Sequence, residues 1–283
     1  MIVAGGGKGT VTFNHNQTYD FSTQMEGLLT VNQMGPGTTI LSGTSNYGGR
    51  TSVMAGRLLV TGSLGRAETE VHAGALLGGN GSLLGKVNVA EAATLAPGTD
   101  SEAWADLAVG MLLLGGSAST SLTQLDISGQ GNGAGIRGID YDSITVTDSD
   151  GLTYGGTLEM TFWNSQPFAD WTVFHLFDHT GTTFEHFGSI TTLALFDSIY
   201  GGLSFKGPNP NGDWIAEASN GQTLLFSEAD GTLSIVPEPS TLLLGSMGIG
   251  MAWWLRRKRS GSQNKIPAAG LSHGSAEGSG QGC

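Results

Sequence analysis

Thr51-Ser-Val-Met-Ala-Gly-Arg-Leu-Leu-Val-Thr-Gly-Ser-Leu64 is echoed by Thr69-Glu-Val-His-Ala-Gly-Ala-Leu-Leu-Gly-Gly-Asn-Gly-Ser-Leu83. The copies align on Val53-Met-Ala-Gly56 and Val71-His-Ala-Gly74. Val89-Ala-Glu-Ala-Ala-Thr-Leu95 follows Val71 at the same offset that separates Val71 from Val53. A period of roughly 20 residues, with one or two short strands per copy, is what a stacked parallel β-helix requires. One rung alone cannot bury its apolar face. Stacking buries it, with Val and Leu inside and Gly or Asn at the corners. Leu28–Val31, Thr38–Leu41, Arg57–Gly62 and Gly85–Val89 are further strand-like runs bounded by Gly, Asn, Ser or Pro.

Composition points the same way. Of 283 residues, 47 are Gly and only 13% are charged, which excludes a charged helical bundle and favours many short strands and tight turns. The formal net charge is −12, and four of the basic residues sit together at Arg256–Arg259, so the remainder is more acidic still. Such a surface repels nucleic acid, which is not expected as a partner. The one cysteine is Cys283, so no disulfide and no thiolate metal site is expected.

Leu76-Leu-Gly-Gly-Asn-Gly-Ser-Leu83, Gly85-Lys-Val-Asn-Val89 and Thr94-Leu-Ala-Pro-Gly98 resemble the autotransporter-associated β-strand repeat, as does Thr44-Ser-Asn-Tyr-Gly-Gly-Arg-Thr51. The resemblance covers roughly residues 37–99 and implies a β-helical passenger domain of an exported bacterial protein. No set of ten-residue alternating strands with aromatic girdles follows, so a membrane β-barrel is not expected.

Residues 1–100 are therefore read as β-helix repeats. Residues 101–236 are read as continued solenoid, ending in a cap, or as a β-sandwich. Ser121–Ile127, Asp142–Thr147, Gly156–Phe162, Trp171–Phe177 and Thr232–Val236 alternate apolar and polar residues and are predicted strands.

The segment 237–259 differs in kind. Pro237-Glu238-Pro239 precedes an uncharged run from Ser240 to Leu255, and Arg256, Arg257, Lys258 and Arg259 close it. The run would span about 24 Å as a helix at roughly 1.5 Å per residue, short for a bilayer but extended by snorkelling arginines and interfacial Trp253 and Trp254. This predicts one C-terminal transmembrane helix with its basic end cytoplasmic. The triplet, helix and basic cluster in that order resemble the PEP-CTERM sorting signal. That resemblance implies recognition by an exosortase-type membrane enzyme, cleavage near the triplet, and release of the ectodomain at the cell surface. A plain tail anchor is the alternative. Met1–Thr10 has neither a basic n-region nor an apolar h-region, so an export signal is expected upstream. Ser260–Cys283 is Ser/Gly-rich and expected to be disordered.

Several constellations invite chemistry. His175 and His179, with His186 nearby, invite a metal-site reading, because histidines at i and i+4 meet on one face of a helix. On a strand, the first two lie about 13 Å apart at roughly 3.3 Å per residue, so no metal site is expected. Gly133–Gly138 spells a dinucleotide fingerprint but leads into a strand, leaving no helix N-terminus for a pyrophosphate. Asp140, Asp142, Asp148 and Asp150 could hold calcium in a β-roll but are better read as turn residues. Asp140 and Asp142 could also be paired carboxylates or simply surface residues. Trp163, Trp171 and Trp214 could stack on sugars or pack in the core. No catalytic, cofactor-binding or metal-binding residue is assigned, and no enzyme is expected. The leading expectation is an exported structural or adhesive protein of the cell surface or matrix. The alternative is a polysaccharide-binding or polysaccharide-degrading protein on the same scaffold, with exopolysaccharide as partner.

Overall fold

The computed structural model describes residues 1–99, 104–116, 118–128, 135–194 and 198–237. Residues 238–283, with the expected transmembrane helix and tail, lie outside the described residues. Among the described residues the secondary structure is β throughout, and no helix is long and apolar enough to cross a membrane.

Successive coils of chain stack in parallel. One face carries Thr18–Phe21, Thr38–Leu41, Arg57–Val60, Leu76–Gly79, Thr94–Pro97, Leu122–Ile127, Thr157–Phe162 and Ser189–Ala194, each paired with the next. A second parallel sheet takes two segments from each coil. Thr44–Tyr47 and Thr51–Val53 are one such pair; Ser82–Val89 and Asp106–Leu113 run through both positions. A coil thus has three strand segments where the repeat suggests one or two. Short segments such as Ser63–Leu64 leave too faint an alternation to be read.

The register explains the constant offset of the repeat. Val53 pairs with Val71 and Val71 with Val89, all fully buried, and the column continues back through Gln33 to Phe13. On the first face the column Tyr19, Thr39, Leu58, Leu77, Leu95 advances in near-equal steps from coil to coil. It then passes to Thr123, Leu158 and Ile190 in longer, unequal steps. The coils after Leu95 carry longer loops, which is why the repeat fades there in the sequence.

Corner glycines let the coils approach. A Cβ on Gly62 would meet the Gly43 carbonyl oxygen at 2.3 Å, and one on Gly81 would meet that of Gly62 at 2.2 Å. Neither has room for a side chain. One apolar column fills the interior from Phe13 to Ile190, and its aromatic end joins a four-stranded antiparallel sheet.

That sheet runs Val173–His175, Thr232–Val236, Thr223–Ser227, Asp213–Glu217. Phe226 from it packs with Tyr154, Phe177 and Phe187 of the stack at ring separations of 6.4, 6.2 and 6.1 Å. Between Leu107 and Val236, therefore, the stack continues to Ala194 and an antiparallel sheet shares its core. Trp171–Phe177, expected as one strand, is broken at Leu176. Val173–His175 pairs antiparallel with Thr232–Ser234, while Phe177–Asp178 pairs parallel with Ile144–Thr145. The buried Leu176 sits at the switch, bonded to both neighbours: its N–H donates to the Gly231 carbonyl, and its own carbonyl accepts the Ile144 N–H.

Candidate functional site

Where the coils lengthen, their outer surface forms a cleft of about 470 Å³ lined by Asn80, Trp104, Ala105, Asp106, Arg137, Gly138 and Ile139. Asp106 opens a strand whose neighbour in the next coil contributes Ser143 and Thr145, while Asp178 stands one coil further along. Alternation along the strands sets these polar groups beside one another. Arg137 reaches across them from a turn that Gly138 makes possible with a φ of +68°, a conformation that side chains other than glycine's rarely adopt. Asp140 closes the same turn by accepting the Ile136 N–H at 2.7 Å.

The guanidinium donates to Asp106 at 2.9 Å, to the Thr145 hydroxyl at 2.5 Å and to Asp178. Ser143 and Thr145 donate to Asp106 as well, at 2.9 and 3.0 Å. Partial burial works against the Arg137 charge, yet its bonds to Asp178 and Asp106 outweigh that and raise its pKa. The network carries two carboxylates on one cation. Exposed Ile139 and half-buried Trp104 supply an apolar flank, and the indole N–H of Trp104 has no hydrogen-bond partner among the described residues.

Beneath the cleft Asp142 accepts the Ala105 N–H at 2.7 Å and the Asp126 N–H at 2.9 Å. Burial nonetheless pushes its carboxyl up to about 8, and the neighbouring Asp126 adds to the rise. Asp142 is thus neither a surface residue nor paired with Asp140, which lies in the turn above. It ties its own coil to the preceding one through their backbones.

The other sequence candidates are dispersed. His175 is exposed on its strand, and His179 is half-buried with both ring nitrogens unpartnered among the described residues; burial lowers its pKa. His186 Nδ1 lies 2.5 Å from Glu228, which also accepts the Phe187 N–H and the Trp214 indole N–H, both at 2.9 Å. Among the described residues, no group of three or more His, Cys, Asp or Glu is placed to hold a metal ion. Asp150 accepts from the N–H and hydroxyl of Thr182, which lowers its pKa and gives it a turn-holding role. Only Gly135–Gly138 of the glycine-rich stretch is described, and Gly138 lies in the turn just named. Trp214 is core; Trp163 and Trp171 are exposed, apart from the cleft lining.

Sequence reasoning missed Asp106, Arg137 and Glu228. Asp106 meets its partner Ser143 across a chain separation of 37, beyond any period the first coils establish. Of the sorting-signal residues, Pro237 is described and is buried directly after Thr232–Val236. Glu238, Pro239, Arg256, Arg257, Lys258 and Arg259 lie outside the described residues.

No family model matches the chain. It is similar to an adhesin autotransporter, BmaC, of Brucella suis biovar 1 (strain 1330), with 38% identity over 96 residues. That match spans 33% of this chain and 3% of the adhesin. A third of the chain is thus similar to a small part of that adhesin.

Proposed function

We propose that this is an exported, non-enzymatic protein whose β-solenoid presents an adhesive or structural surface outside the cell. The observation that carries the reading is the uninterrupted parallel stack in a chain of which a third is similar to an autotransporter adhesin. A stack held by backbone ladders and an apolar column keeps its surface in register over many coils without a fixed active site. In this reading Pro237–Pro239, the apolar run and Arg256–Arg259 form the sorting signal, recognised by an exosortase-type enzyme while the helix holds the precursor in the membrane.

Expression with and without an exosortase tests it. Mass spectrometry of surface material from the positive host is expected to find a C-terminus near Pro237–Pro239. Recovery of chains still bearing Arg256–Arg259 would leave a plain anchor instead.

A second reading, polysaccharide binding, is favoured by the cleft. Asp106, Arg137 and Asn80 are hydrogen-bonding groups beside an apolar flank, a combination suited to sugar hydroxyls and ring faces. Loss of binding to an exopolysaccharide in Trp104→Ala, with wild-type thermal stability, would support that reading.

A further inference from the structure

Coil stacking brings together residues that no linear motif reveals. Backbone bonds run from the Met34 N–H to the Phe13 carbonyl, from Met54 to Gln33, from His72 to Val53 and from Ala90 to Val71, at 2.8, 2.8, 2.9 and 2.9 Å. Each continues the parallel register of the buried Gln33, Val53, Val71, Val89 column by one residue. One step past an inward residue points outward. Met34, Met54 and His72 therefore form an outward column on three successive coils.

Their environment is unusual for their chemistry. Met34 and Met54 are 47% and 43% exposed, and the His72 side chain is 39% exposed. The His72 Nε2 is buried without a hydrogen-bond partner among the described residues, lying 3.9 Å from the Glu70 carboxylate. Neighbouring parallel strands lie about 4.8 Å apart, and bonds from a metal to sulfur or imidazole nitrogen are about 2.0–2.3 Å. The backbones of adjacent members are thus one strand spacing apart, and the long, flexible Met side chains can reach across the two steps to converge with the imidazole on one ion.

We propose that Met34, Met54 and His72 form a binding site for a soft monovalent cation, Cu(I). Thioethers select Cu(I), and imidazole completes a three-coordinate set. His72 supplies the imidazole nitrogen, and the Glu70 carboxylate, 3.9 Å from its Nε2, lies beside the ring. The ion exchanges for solvent with no covalent or redox step, and the site is independent of the adhesive reading.

The test uses the full chain carrying Cys283→Ser, so that the thiol does not compete. Cu(I), kept reduced with ascorbate, is titrated against the chromophoric chelator bicinchoninate. The site is expected to withdraw one equivalent of copper. The double variant Met34→Leu/Met54→Leu is expected to bind at least tenfold more weakly with an unchanged melting temperature, and His72→Gln to weaken binding as well. X-ray absorption of the loaded protein should show two sulfur neighbours and one nitrogen neighbour. Failure to withdraw copper, or a double variant within twofold of the parent, overturns the proposal.

Discussion

Asp142 is only 2% exposed, and two backbone N–H donors do not prevent burial from favouring its protonated form. A carboxyl whose folded-state pKa is raised contributes stability that is complete below its unfolded value, near 4. That contribution is lost as pH climbs through the folded value of about 8. Stability is therefore expected to fall between pH 4 and 8, by on the order of a few kcal/mol from this group. Melting curves across that range check it: Asp142→Asn should flatten the dependence, and a variant that still tracks the parent would place its origin elsewhere. Gly62 acts through space rather than charge. Gly62→Ala forces a methyl to 2.3 Å from the Gly43 carbonyl and is expected to cost about 1–3 kcal/mol in denaturant unfolding. Gly6→Ala, with nothing within 4 Å of the added atom, serves as the control, and equal losses in the two would refute the close-approach argument.

Among elements, the inner columns carry the stability and the outer ladders decorate it. Leu77, fully buried between Leu58 and Leu95, is expected to cost about 2–5 kcal/mol on replacement by Ala, measured by urea unfolding. Outside, Arg50 bridges Glu68 at 3.0 Å and Glu70 at 2.6 Å, and Lys86 approaches Glu68 at 3.5 Å. These exposed pairs contribute about 0–1 kcal/mol each. The columns were the legible part. Val53, Val71 and Val89 could be aligned by eye because equal coils put like residues at equal offsets. Leu122–Ile127 and Thr232–Val236 carry alternation clean enough to bound a strand. Asp106–Leu113 and Ser189–Ala194 were not legible, because the longer, unequal coils from Leu95 to Ile190 erase the period. The cleft was hidden for the same reason. Arg137 meets Asp106 and Asp178 only after three unequal coils have been laid over one another.

For the whole described molecule, one ladder runs the length of the stack. Thr18 pairs with Thr38, then Arg57, Leu76, Thr94, Leu122, Thr157 and Ser189 follow in turn, each a parallel step onto the next coil. Continuity of this kind is what an extended adhesive surface needs. It would also make the stack behave as a one-dimensional array, in which each coil is stabilised mainly by its neighbours. At about 4.8 Å per step, the two ends of the ladder stand roughly 34 Å apart. The most direct measurement is double electron–electron resonance on Thr18→Cys/Ser189→Cys, spin-labelled in a Cys283→Ser background. A single narrow distribution centred on that separation, broadened only by the labels, is the expected result. A mean distance shorter than about two-thirds of it, or a distribution too broad to define a mean, would contradict the stacked solenoid.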